Sequence, residues 1–228
     1  MVYLVAFIVL IFVLVFPGWW VNYTLKKYSI NYESLPGTGG ELAQHLIKRF
    51  ELPVTVEMTN LGDHYDPQAK TVRLKEQHFN GRSLSAVAVA THEVGHAIQH
   101  HKGYRLLNLR TRLATIAIQA QRLGSIAYLV LPVLVMLSRS PVVGAVFLLV
   151  AVGSMLLSVI VHLVTLPVEW DASFNRALPI LEQGGYLSKP ELKVARKILL
   201  AAALTYVAGA LLSLVNVWRW LQLLKMRY

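Results

Sequence analysis

Long apolar stretches alternate with polar ones along the chain. Residues 2–20 carry no charge and are long enough to cross a bilayer as one helix. No basic segment precedes them and no small-residue cleavage site follows, which favours an uncleaved anchor over a signal peptide. Trp19, Trp20, Tyr23 and Tyr28 then suit an interfacial aromatic belt. Residues 24–103 read as a soluble domain. Pro36 to Gly40 is a loop, with Thr38 a cap for a short helix over 41–50. Alternation at 54–58 and 71–74 predicts two strands, with Asp66-Pro67 a turn between them. Ser83 as N-cap and Gly103 as C′ residue bound a further helix.

Over 105–123, Arg105, Asn108, Arg112, Thr115, Gln119 and Arg122 form one helical stripe, and Leu106, Leu109, Leu113, Ile116, Ala120 and Leu123 form another. Such a basic amphipathic helix fits the membrane interface or the flank of the soluble unit equally well. Residues 126–137 are apolar but short, with Pro132 inside. They cross only if the preceding helix continues into them. Residues 142–166 form a long span, 167–190 are polar again, and 198–218 form the last span. The expected fold is a mostly α integral membrane protein. It has about four transmembrane helices and a small α+β zincin-like unit of gluzincin type. Its divisions are an anchor over 1–23, a catalytic unit over 24–125, a transmembrane hairpin over 126–166, a polar helical segment over 167–197 starting at Pro167, and a final helix with a basic tail over 198–228.

Of the 228 residues 55% are hydrophobic, and their bunching indicates membrane rather than a large soluble core. Cysteine is absent, which excludes disulfides and thiolate metal sites. The net charge of +10 flanks the apolar runs, as topology and anionic lipid require. No nucleic-acid-binding motif and no phosphate loop accompanies it, so lipid and not nucleic acid is the expected partner.

The strongest chemical signal is His92-Glu93-Val94-Gly95-His96. Histidines at i and i+4 share one helix face and can reach one tetrahedral metal. Glu93 can then serve as general base towards a water that zinc activates. A solvated polar face is excluded by the flanks, because Ala86 to Ala90 and Ala97-Ile98 make this a buried helix. Gly95 would let a neighbouring element pack closely. The metzincin pattern fails at Gln99 and Lys102, and a di-iron bundle lacks its second ExxH.

A third ligand must come from elsewhere. His100 lies about 12 Å along the axis from His92, so His100 and His101 read as surface residues. Glu169, in Leu166-Pro167-Val168-Glu169-Trp170-Asp171, is the best carboxylate; a plain N-terminal helix charge is the alternative. It shares a face with Ser173 and Arg176, whereas Asp171 points elsewhere.

With these residues the chain resembles the YugP-like family of neutral zinc metallopeptidases. The likeness runs through Asp63-His64-Tyr65-Asp66-Pro67, Lys70 to Leu74, Ser85 to Gln99, and Val168 to Ser173. It implies one zinc ion, a membrane location and peptidase activity. The chain is more distantly similar to HtpX and the CAAX prenyl proteases, which pair a membrane-associated HExxH helix with a distant glutamate. That group has an aspartate four residues after the ligand glutamate, where this chain has Ser173.

His64 and Tyr65 could donate to an oxyanion, although a capped turn is the plainer reading. Arg176 could do the same or pair with a carboxylate. His162 falls near the end of an apolar span. The expected reaction is zinc-dependent hydrolysis of peptide bonds in membrane-associated proteins or peptides. The alternatives are hydrolysis of another amide or ester, and a silent zinc-stabilised scaffold, which would not need Glu93. Lys26, Lys27, Arg122, Lys193, Arg196 and Lys197 lie beside span ends, on the side shared by both polar segments. They place the site on the cytoplasmic face of a multi-pass cell-membrane protein.

Overall fold

The computed structural model describes residues 2–138 and 140–225. α1 (Val2–Lys27) leads into α2 (Gly39–Arg49), then β1 (Thr55–Thr59), β2 (His64–Asp66) and β3 (Thr71–Lys75). A single turn, α3 (Glu76–Phe79), precedes α4 (Leu84–His101). The long helices α5 (Arg105–Ser138) and α6 (Pro141–Trp170) follow. A π-helical segment, Asp171–Ala177, joins α6 to α7 (Leu178–Gln183), and α8 (Lys189–Lys225) closes the described chain.

The caps form as the sequence dictates. Thr38 accepts the Glu41 N–H while Glu41 accepts the Thr38 N–H, a reciprocal box at the start of α2. Ser83 accepts the Ala86 N–H, and Gly103, at φ +65°, stands just beyond the last turn of α4. The sheet has the order β1-β3-β2, with β1 parallel and β2 antiparallel to β3. The turn at Asp66 therefore joins β2 to β3 rather than the two strands expected. Asp66 accepts the N–H groups of Gln68 and Ala69 there.

α4 is buried on nearly every face. Ala90, Val94 and Ala97 pack with Leu46 of α2 and with Val72 and Leu74 of β3. Val87 and Ala88 pack with Leu181 and Ile198, from α7 and α8. A helix clamped between a sheet and two later helices holds its side chains in fixed rotamers, which a metal site requires.

α5 is one uninterrupted helix, so the preceding helix does continue into residues 126–137. Two expectations need correction. Pro167 does not begin a helix. α6 runs through it and continues via the π segment to Gln183. The missing N–H costs one hydrogen bond, which burial of Val168, Ala172 and Ala177 outweighs. Two stretches, rather than four, are long and apolar enough to cross a membrane among the described residues, Leu156–Gln183 and Lys189–Val215. The first extends past 166 because the helix does not stop at Pro167. The expected spans at 2–20 and 126–137 rest largely on side chains outside the described residues.

Candidate metal centre

His92 and His96 extend from the same face of α4, their rings 4.7 Å apart and steeply inclined. Opposite them stands Glu169, fully buried near the end of α6. Its Oε2 lies 3.2 Å from His92 Nε2 and 3.4 Å from His96 Nε2. Zinc bonds of about 2.0–2.1 Å at the tetrahedral angle place neighbouring donor atoms about 3.3–3.4 Å apart. Both distances from Glu169 Oε2 match that spacing, and the three donor atoms all lie within 4.8 Å of one another.

The hydrogen bonds behind the histidines agree. Gln99, itself buried, donates from Nε2 to the Val168 carbonyl at 2.9 Å and to Asp171 Oδ2 at 2.8 Å. Its Oε1 therefore faces His96 Nδ1, at 2.9 Å, and accepts a proton held there. That leaves the His96 Nε2 lone pair directed at a carboxylate oxygen. Two acceptors at 3.4 Å repel unless a cation lies between them, so the donor set fits a metal ion.

Ser173 Oγ lies 3.1 Å from His92 Nδ1 and can accept its N–H. Ser173, four residues beyond Glu169, thus supplies His92 with a partner. The end of α6 and the π segment together present two faces to α4. Glu169 and Ser173 meet His92, while Val168 and Asp171 meet Gln99. Close approach requires Gly95, since a Cβ there would lie 2.9 Å from the Ala172 carbonyl oxygen.

Glu93 is buried beside the pair. Burial pushes its carboxyl up to about 7; His92 opposes the rise and Glu169 adds to it.

Together these residues floor a cleft of about 280 Å³. One wall is β2 with its flanks, including Asp63, His64 and Tyr65. The other is α5, which lines the cleft with Leu107, Arg110, Thr111, Ala114, Thr115 and Ile118. Tyr206 of α8 completes it.

His64 and Tyr65 thus reach the site, and each is already in a hydrogen bond. His64 Nδ1 donates to the Gly62 carbonyl at 2.8 Å, which leaves neutral His64 an acceptor at Nε2. The Tyr65 hydroxyl pairs with His100 Nδ1 at 2.8 Å. His100 is accordingly half-buried rather than a free surface residue, whereas His101 is exposed. Arg176 is not among the cleft-lining residues. Its Nε donates to Asp171 Oδ2 at 2.7 Å, so it anchors the chain of contacts through Gln99 to His96.

Sequence reasoning missed Gln99, Arg110, Tyr206 and the pair formed by Asp63 and the buried His78, 2.9 Å apart. Gln99 was visible, three residues beyond His96 on a buried helix, where a polar side chain needs a partner. Arg110 belongs to neither stripe of the amphipathic pattern and gave no signal.

A helix-borne HExxH completed by a glutamate from a distant helix defines a class of metal-dependent hydrolases. Comparison with known proteins narrows the class. The chain belongs to the family described as "putative neutral zinc metallopeptidase", whose family model matches residues 3–225. It is 36% identical over 215 residues to "Putative membrane protease YugP" of Bacillus subtilis (strain 168), covering 90% of this chain and 91% of that protein. No solved structure matches it. The chain is thus a zinc metallopeptidase by family.

Proposed function

We propose that the chain is a membrane-embedded zinc endopeptidase of gluzincin type, which cleaves membrane-associated proteins or peptides with Glu93 as general base. The observation that carries this reading is the approach of Glu169 Oε2 to both His92 and His96, at 3.2 and 3.4 Å, in a cleft shared with Glu93. Zinc held there would supply polarisation of the scissile carbonyl and a lowered pKa for the attacking water. Glu93, buried in the same cleft, would take a proton from the attacking water and return it to the leaving amine. Ser173 and Gln99 keep the imidazoles aimed and protonated at Nδ1.

Membrane embedding is supported by the two apolar stretches, one of which carries Glu169 and the other Tyr206. Two of the helices around the site thus belong to stretches able to enter a bilayer, which suits substrates held at its surface. In this reading the cleft faces the cytoplasm, as Lys26, Lys27, Arg122, Lys193, Arg196 and Lys197 favour.

The test is Glu93→Gln in the full-length protein, purified in detergent. It should keep its zinc and its helical circular dichroism while cleavage of β-casein falls by about 100-fold or more. Casein cleavage at the wild-type rate would refute the role of Glu93.

A further inference from the structure

Glu169 has two oxygens and only one is accounted for by the histidines. Oε1 is turned away from them, is buried, and makes no aligned hydrogen bond. The Arg110 guanidinium reaches it, with Nη1 at 3.0 Å, an ionic contact between α5 and α6. Arg110 is otherwise open to the cleft, its side chain 29% exposed.

A glutamate can ligate through one oxygen or both, and the choice decides what else the metal holds. Catalytic zinc sites combine three protein ligands with one open position. A glutamate ligating through both oxygens would crowd that position. The carboxylate is free to rotate about its terminal bond, a broad two-fold torsion with no sharp preference of its own. Something must therefore hold the second oxygen back, and a cation within ionic contact of the buried Oε1 does so.

We propose that Arg110 is a positioning residue of the metal centre, drawing Oε1 of Glu169 outwards so that the glutamate ligates through Oε2 alone. The inference rests on the metal centre described above. Arg110 does not touch the reacting atoms in this role. It acts through Glu169 and fixes the coordination number. Because its charge also competes with the metal for the carboxylate, affinity is a poor reporter and geometry is the informative one.

The experiment uses full-length protein in detergent, stripped of metal and loaded with cobalt(II), whose visible absorption distinguishes four-coordinate from five-coordinate ions. Wild type should give the intense bands of a four-coordinate ion. Arg110→Gln should bind one cobalt per chain but show the weaker bands of five coordination, with kcat lowered more than KM is raised. Arg110→Lys, which keeps a cation on the same wall, should recover part of the wild-type intensity. An Arg110→Gln spectrum identical with wild type would overturn the proposal, as would an Arg110→Lys spectrum no nearer to wild type than that of Arg110→Gln. Failure of the underlying site looks different: wild type would then bind no cobalt, or bind it equally well after His96→Ala.

Discussion

Gln99→Leu tests how the centre is held. Gln99 is completely buried and makes three contacts of 2.8–2.9 Å, to His96 Nδ1, the Val168 carbonyl and Asp171. Leucine is close in size, so the main loss is polar. His96 Nδ1 loses its acceptor, while the Val168 carbonyl keeps the Asp171 N–H and Asp171 keeps Arg176 and Asn175. Leaving that buried polar group unpaired costs about 1–3 kcal/mol in stability. The metal reports a second, separate loss. Removing the partner that orients a ligating histidine typically weakens metal binding 10–100-fold, which is about 1.4–2.7 kcal/mol. The assay is competition for zinc against a chromophoric chelator at fixed pH, alongside thermal unfolding of the metal-free protein. Both should fall. Wild-type zinc affinity in a variant whose unfolding temperature has dropped would show that Gln99 merely packs, and would refute the orientation argument.

The other half of the arrangement predicts that Ser173→Ala weakens zinc about tenfold, whereas Ser173→Asp, which still offers an acceptor to His92 Nδ1, retains wild-type affinity by the same chelator competition. Equal losses in the two variants would contradict the contact seen at 3.1 Å. On the β2 side, burial alone would raise the Asp63 carboxyl, but His78 and the Lys75 N–H outweigh it and hold it below its usual value. A folded-state pKa below the unfolded one stabilises the fold above the unfolded value of about 4. That stability is lost as pH falls through the lower, folded value. Asp63→Asn should therefore unfold at a lower temperature than wild type at neutral pH, with the gap narrowing below about pH 4; a gap independent of pH would count against it.

What the sequence disclosed follows how far each feature depends on neighbours in the chain. Thr38, Ser83 and Gly103 act within one helical turn, and their caps formed where expected. The pairing of His92 with His96 is likewise a matter of helical spacing. Glu169 was legible as a candidate because a buried carboxylate at the end of an apolar run demands a partner. Arg110 and Tyr206 were not legible, because they meet the site only through the packing of α5 and α8 against distant segments. Pro167 misled for a related reason. Its local tendency to end a helix was overridden by the burial of Val168 and Ala172 against α4, and the π segment that resulted brought Asp171 to Gln99. Helical wheel geometry had set Asp171 aside as pointing elsewhere.

The central claim is that His92, His96 and Glu169 hold one zinc ion while Glu93 does not ligate it. Elemental analysis of full-length protein purified without chelator measures this directly. The account predicts about one zinc per chain for wild type and for Glu93→Gln, and a large loss in His96→Ala and Glu169→Ala at unchanged helical content. Zinc retained in full by Glu169→Ala, or lost from Glu93→Gln as completely as from His96→Ala, would contradict it.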